Sequence, residues 1–288
     1  MIPPYQRIAE ALRADIESGL FPVETQIPTQ YSLVRRFGAS RATVQRALQE
    51  LLRDGYIESQ QGRGAFVRDR AQQLAPLAER LRYGPTGVIL SDHLSLAFES
   101  PQVTLDVYSL TTETLAGAIN VPFQRIRQGE LQIDSLTVRV LLPDTDVPLA
   151  LPRNVADAAD PRPQDRLKNL IKNSTGSLGD SIRSLQELGY VSSCRMEVKC
   201  VAATPFKKLY LINGTDALFG LYPVVKSNVS HSGAGFEIYD VHGYKSTLFH
   251  FSNAGVNPDP RDVAYVAEYS AWFESLWQTI AGTVTLFE

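Results

Sequence analysis

Between Glu24 and Glu50 lie Arg35, Arg36, Arg41 and Arg46 and not one acidic residue. Guanidinium groups without local counter-charge make a cationic face suited to phosphate. Ser40, Thr43 and Gln45 stand among them and add hydroxyl and amide groups. The rest of the chain offers less recognisable chemistry. His93, His231, His242 and His250 show no metal-ligand spacing with Cys194 and Cys200, no Gly-x-Ser-x-Gly elbow occurs, and no phosphate-binding P-loop is present. SHSGAGFE near 230 precedes a strand, which weakens a nucleotide-loop reading. His242 in DVHGYK reads as a turn or core histidine. Neither a metal nor a cofactor is expected.

The elements that must carry the cationic residues follow from periodicity. Ile8, Leu12 and Ile16 recur every four residues and Gly19 follows, the pattern of an amphipathic helix with a glycine stop. Thr29 is placed to cap a short second helix containing Leu33, Val34 and Phe37, which Gly38 ends. Ser40 can cap a third helix whose Val44, Ala47, Leu48, Leu51 and Leu52 face inward. That leaves Arg41, Thr43, Gln45 and Arg46 along its outer and leading side. Two short helices joined by a glycine turn form a helix-turn-helix able to enter a major groove. Residues 56–60 and 65–67 then read as two strands around Gln61-Gly62-Arg63-Gly64, a hairpin with Arg63 at its tip.

These motifs fall in the register of a known family. Pro4-Tyr5, Ile27-Pro28-Thr29, Phe37 to Val44, Ala47-Leu48, Gly55-Tyr56-Ile57 and Gln61 to Val67 together resemble the winged helix-turn-helix of GntR-family bacterial transcription regulators. The resemblance covers roughly the first quarter of the chain. It implies that Ser40, Arg41 and Thr43 contact phosphates and bases and that Gly62 and Arg63 enter the minor groove. The full set expected to meet duplex DNA is Thr29, Arg35, Ser40, Arg41, Thr43, Gln45, Arg46, Gln61, Gly62 and Arg63. The family often has Glu where this chain has Gln30, and Arg where it has Gln45. Because Arg favours guanine and Gln favours adenine, a different operator base pair is expected opposite Gln45.

Composition bounds the remainder. The chain has 288 residues, 44% of them apolar and 20% charged, which is ordinary for a globular protein of two domains. Its net charge of −3 is unevenly spread: residues 1–70 hold ten Arg against eight acidic residues, and the rest holds 18 basic against 23 acidic. Apolar runs fall short of a membrane span and the start lacks a basic-then-apolar leader, so a cytoplasmic protein with no membrane partner is expected. Two cysteines at this spacing suggest free thiols.

The domain organisation expected is a winged helix-turn-helix over 1–70, a linker over 71–85 with helical spacing at Leu74, Leu77 and Leu81, and an α/β mixed-sheet domain over 86–288 for effector binding and dimerisation. Strands are expected at 103–110, 136–142, 194–203, 207–213, 217–225, 236–239 and 246–251. Helices are expected from about 111, over 164–189, and over 263–280 with Trp272, Phe273 and Trp277. Within PFKKLYLIN, residues 205–213, the spacing of Phe206, Lys208 and Asn213 resembles the His-x-Lys-x4-Asp signature of the phospholipase D superfamily, in degenerate form. Phe206 has no lone pair with which to attack phosphorus, so covalent catalysis there is excluded. Lys208 at the strand end of an apolar pocket suits an anionic group, and Asn213, Thr111, Thr112 and Tyr222 are its expected companions. The alternative for Lys207 and Lys208 is a pair of solvated residues flanking a buried strand.

The function expected is a ligand-responsive regulator, a repressor, binding a palindromic operator as a homodimer, with a phosphate-containing or nucleotide effector. The alternatives are a DNA-targeted phosphodiesterase or nuclease, against which Phe206 speaks, and a regulator with a sugar- or acid-sensing second domain.

Overall fold

The computed structural model of the chain describes residues 3–17, 20–22, 25–53, 56–60, 64–67, 81–231, 233–243 and 246–283. The chain divides into two compact units, Met1–Glu79 and Arg80–Glu288, each with its own core. Three expectations lie outside the described residues: the hairpin tip Gln61-Gly62-Arg63, the linker segment with Leu74 and Leu77, and Gly19.

In the first unit α1 (Pro4–Glu17), α2 (Gln30–Phe37) and α3 (Arg41–Arg53) precede a hairpin of β1 (Ile57–Gln60) and β2 (Gly64–Val67). Local capping sets the helix limits. The Thr29 hydroxyl accepts from the Ser32 N–H at 3.3 Å, satisfying a backbone donor that the helix itself cannot. Gly38 ends α2 at φ 59°, a left-handed conformation that a side chain would disfavour. Two residues later the Ser40 hydroxyl accepts from the Thr43 N–H at 3.2 Å and opens α3. Ile8 and Leu12 of α1, Leu33 of α2, and Val44, Ala47 and Leu51 of α3 close a core with Ile57 and Val67 of the hairpin. The segment before α2 joins the hairpin, with Ile27 N–H to Ala65 O and Val67 N–H to Thr25 O, both 2.9 Å.

The second unit is built on an eight-stranded sheet of β3 (Tyr83–Pro85), β4 (Gln102–Tyr108), β5 (Ser135–Pro143), β7 (Ser193–Val201), β8 (Lys207–Ile212), β9 (Asp216–Leu221), β12 (Thr247–Ser252) and β13 (Gly282–Thr283). Their order across it is β13-β7-β5-β4-β8-β9-β12-β3. β4, β5 and β7 are parallel and the other pairs antiparallel, so the mixed α/β sheet expected from the sequence is present. Three helices, α4 (Thr86–Ala97), α5 (Glu113–Arg127) and α6 (Arg162–Glu187), share one core with residues of the sheet such as Val103, Val107, Val138 and Tyr210. A second core joins α7 (Pro260–Gln278) to Tyr108, Leu141, Leu209 and Leu211 of the opposite face. A small second sheet orders β10 (Val224–His231), β11 (Ala234–Val241) and β6 (Arg153–Asn154).

Four readings change. Leu52, expected to face inward from α3, is exposed, and Tyr83–Pro85, expected to close the linker, form β3 of the sheet beside β12. The stretch expected as one strand over 217–225 is split between β9 and β10, interrupted at Tyr222-Pro223, where proline lacks a ladder donor. The helix α4 was not anticipated. Ile89, Leu90, Leu94 and Ala97 are buried, but Val88 and Leu96 are exposed, which blurs the helical stripe.

The pairing of β9 with β12 leaves no room for a side chain at Gly220, where a Cβ would stand 2.7 Å from the Thr247 carbonyl oxygen. Gly220→Ala is expected to lower stability by about 1–3 kcal/mol, read as an earlier urea midpoint. An unchanged midpoint would show that this part of the sheet yields freely.

Candidate nucleic-acid interface and ligand cavity

The two caps decide which side chains of the first unit face outward. Arg41 occupies the first position of α3 and is exposed, as are Ser40, Gln45 and Arg35. Among the described residues neither Arg35 nor Arg41 has an ion-pair partner. The other two arginines of the cationic stretch are engaged: Arg36 reaches Asp15 at 2.7 Å, and the Arg46 guanidinium lies over the Tyr5 ring at 4.2 Å. Thr43 is half-buried, and its hydroxyl lies 2.9 Å from that of Ser40. Thr29 and Gln45 line one groove, between the start of α2 and the outer side of α3. The interface therefore has Arg41 at its leading edge and a neutral hydroxyl and amide surface behind it. That arrangement suits phosphate contact at the helix start and base reading along the helix.

In the second unit, strand alternation separates two adjacent lysines. Lys207 points toward α7, its ammonium 3.7 Å from the Trp272 ring centroid. Lys208 points to the other face and is 0% exposed. The solvated alternative for Lys208 is thereby overturned, because its neighbours Leu209 to Ile212 are buried on both faces and carry it inward. Its Nζ donates to the Gly243 carbonyl at 2.5 Å and to Thr86 Oγ1 at 3.4 Å, and lies 4.9 Å from the centre of the Tyr222 ring. No carboxylate is among these partners, and burial lowers the Lys208 pKa to about 7.

Tyr222 and Gly243 also form part of the wall of a cavity of about 360 Å³, lined further by Thr111, Glu113, Thr114, Arg166, Ser227, Asp240 and His242. It lies beyond the carboxyl end of β4, at the start of α5, where α/β crevices form. Arg166 stands 3.6 Å from Asp240, whose own pKa is raised by burial. The Ser227 hydroxyl lies 3.2 Å from His242 Nε2. Tyr222 is positioned by the Leu110 N–H, which donates to its hydroxyl at 3.2 Å, and burial pushes the phenol well above its ordinary pKa. A Cβ at Gly243 would sit tightly against Thr114 Oγ1 at 3.3 Å and in ordinary contact with Lys208 Nζ at 3.5 Å, so the backbone passes close to both.

Of the expected companions, Thr111 and Tyr222 line this cavity and Lys208 stands behind its wall. Thr112 is buried and bonded to Ser174 and Thr175 of α6 at 2.9 and 3.2 Å. Asn213 lies past the opposite end of β8, about 16 Å from Lys208 along the strand. Its φ of 51° and its bonds to Thr104 N–H and Ala97 O, at 2.9 and 3.1 Å, make it a turn residue that ties strand to helix. Phe206, where a catalytic histidine would stand, is 50% exposed. Sequence reasoning missed Arg166, Asp240 and Gly243, which reach the cavity from elements distant in the chain. Only the His-Gly pair at 242–243 hinted at a tight approach.

Residues 4–67 match the family model described as bacterial regulatory proteins, gntR family. Among curated relatives, the histidine utilization repressor of Pseudomonas aeruginosa is 38% identical over 73 residues, 25% of this chain and 29% of the relative. An HTH-type transcriptional regulator of Mycobacterium tuberculosis is 32% identical over 165 residues, 56% of this chain and 55% of the relative. A solved structure of the AraR DNA-binding domain in complex with operator ORR3 is 36% identical over 23% of this chain and 81% of that chain, with a TM-score of 0.23. The chain spans less than a third of the length of the first curated relatives it matches. Family model, capped helices and hairpin agree on one statement: the amino-terminal unit of this chain is a GntR-family helix-turn-helix domain.

Proposed function

We propose that the chain is a DNA-binding transcription regulator that acts on a partly palindromic operator as a homodimer and responds to a small polar effector. The observation that carries this reading is the outward Arg41, Ser40 and Gln45 at the start of α3, inside a domain that matches the gntR family model. Repression is the mode proposed, by likeness to relatives named as repressors of histidine utilization and of mannosyl-D-glycerate transport and metabolism. Gly62 and Arg63 are proposed as the minor-groove contact by the same resemblance, and Gln61 as a further DNA contact beside them.

The effector is assigned to the cavity beside Tyr222 and Gly243. Arg166 and the Lys208 ammonium behind the wall favour an anionic group, phosphate among them, while Thr111, Thr114 and Ser227 offer hydroxyls to a polar body. The phospholipase D-like spacing enters only through Lys208, as a seat for negative charge on a scaffold with Phe206 in place of a nucleophile. The chain is therefore read as a sensor that releases its ligand unchanged, and not as an enzyme.

Arg41→Ala is expected to weaken operator binding by about 1–3 kcal/mol. A gel-shift titration against the region upstream of the chain's own gene measures this, with circular dichroism confirming the fold. Binding that ignores both Arg41 and salt concentration would sink the DNA-binding reading.

Lys208 makes a second expectation. The unfolded chain holds its lysine proton up to the ordinary value of 10.5, and the folded chain gives it up near 7. Between these values the unfolded state binds more protons, so stability rises with pH, and below about 7 the burial penalty is present in full. The penalty is roughly 4–5 kcal/mol at 1.36 kcal/mol per pKa unit. Lys208→Met should therefore stabilise the chain at neutral pH and flatten the rise in melting temperature toward pH 10, leave operator binding intact, and abolish any thermal shift given by phosphorylated metabolites or nucleotides. A variant that melts earlier and still responds to such ligands would remove Lys208 from the proposed role.

A further inference from the structure

We propose that His93, His250 and Asp216 form a binding site for a divalent transition-metal ion of the zinc type, separate from the ligand cavity. One ring nitrogen of each histidine and one carboxylate oxygen of Asp216 lie within 4.8 Å of one another. Three elements bring them together. His250 on β12 stands opposite Leu218 of β9, and Asp216 lies opposite Ser252, so by strand alternation His250 and Asp216 share one face. His93 approaches from α4, and its ring centre is 4.0 Å from that of His250.

The surroundings of each group are those that hold metal ligands. His93 Nε2 is 3.0 Å from the Leu81 carbonyl oxygen, which can only accept, so the proton sits on Nε2 and Nδ1 keeps its lone pair. A backbone carbonyl that fixes the tautomer in this way is a recurrent support of metal-binding histidines. His93 is 6% exposed. Asp216 accepts from the Thr215 hydroxyl at 2.7 Å and from His250 Nε2 at 2.7 Å. A cation would take the place of the proton between His250 and Asp216. That proton moves to His250 Nδ1 if the ring was neutral, and leaves to solvent if it was charged.

Zinc bonds of about 2.0 Å set tetrahedral ligand atoms roughly 3.3 Å apart. The ligand atoms, all within 4.8 Å of one another and with His250 Nε2 and Asp216 Oδ1 already 2.7 Å apart, need therefore move by at most about 1.5 Å to meet that spacing. Two imidazoles and one carboxylate select zinc, cobalt, nickel or iron over magnesium and calcium, and three protein ligands leave a position for water. The site would tie α4 to the sheet and to Leu81, at the beginning of the second unit. α4 also carries Thr86, a partner of Lys208, about 10 Å along the helix from His93.

The experiment is titration of the full chain with Co²⁺, followed by absorption, and with Zn²⁺, followed by calorimetry. The expected result is one Co²⁺ per chain with visible bands of a tetrahedral or five-coordinate ion, displaced by Zn²⁺ and indifferent to excess Mg²⁺. His250→Gln and His93→Gln should each weaken binding by more than about 100-fold, beyond the loss typical of a supporting residue. His250→Gln alone carries the test if His93→Gln fails to fold. The proposal is overturned if no Co²⁺ spectrum appears, if the spectrum survives His250→Gln in a folded chain, or if it depends instead on Cys194 or Cys200. Operator binding is not the readout, so failure here leaves the regulator reading untouched.

Discussion

An ammonium group taken out of water governs the second unit. Among the described residues Lys208 has no carboxylate beside it, so its charge must be answered by dipoles and an aromatic face. The Gly243 carbonyl that accepts from it also accepts from the Ser246 hydroxyl at 2.8 Å. The Ser246 carbonyl in turn accepts from the Thr86 N–H at 3.0 Å and its hydroxyl at 2.7 Å. One buried polar network thus joins β8, the segment before β12 and the first residue of α4. Gly220, opposite Lys208 on β9, admits the close backbone passage this arrangement needs.

The opposite face of the same sheet solves a similar problem differently. Arg139 of β5 reaches Asp106 with two bonds, at 2.6 and 2.7 Å, and Glu274 of α7 at 2.8 Å. It lies 5.2 Å from both the Phe273 and Trp277 ring centres, and its pKa is raised chiefly by the Asp106 hydrogen bonds. A fork-shaped cation meeting carboxylates on strand and helix fixes where α7 docks. Arg139 is fully compensated and serves the fold. Lys208 is only partly compensated, and the cost is retained beside a cavity, where strain of this kind is expected of a functional group.

Legibility followed the range of the interactions. Thr29, Gly38 and Ser40 act within three residues of themselves, and their sequence roles matched the observed caps. The strands around Lys208 were visible from their apolar runs. Which lysine faced inward was not, since Lys207 and Lys208 differ only by one step of the pleat. Asn213 was placed with Lys208 by spacing in a signature, yet strand length carries it to the far end, where its side chain holds two backbone groups. The helix α4 escaped because its exposed Val88 and Leu96 weaken the amphipathic contrast, and with it went any chance of pairing His93 with His250.

The sequence by itself determined the first unit: caps, glycine turn and apolar periodicity are local, and together they leave Arg41, Ser40 and Gln45 outward. It also determined that the second unit would be a mixed α/β sheet, because strand and helix periods are carried by neighbours along the chain. The tertiary structure alone decided which residues share a site. Arg166, Asp240 and Gly243 meet Tyr222, and His93 meets His250 and Asp216, through strand order and helix docking. Those are set by the burial of whole faces, a property that no single stretch of residues contains.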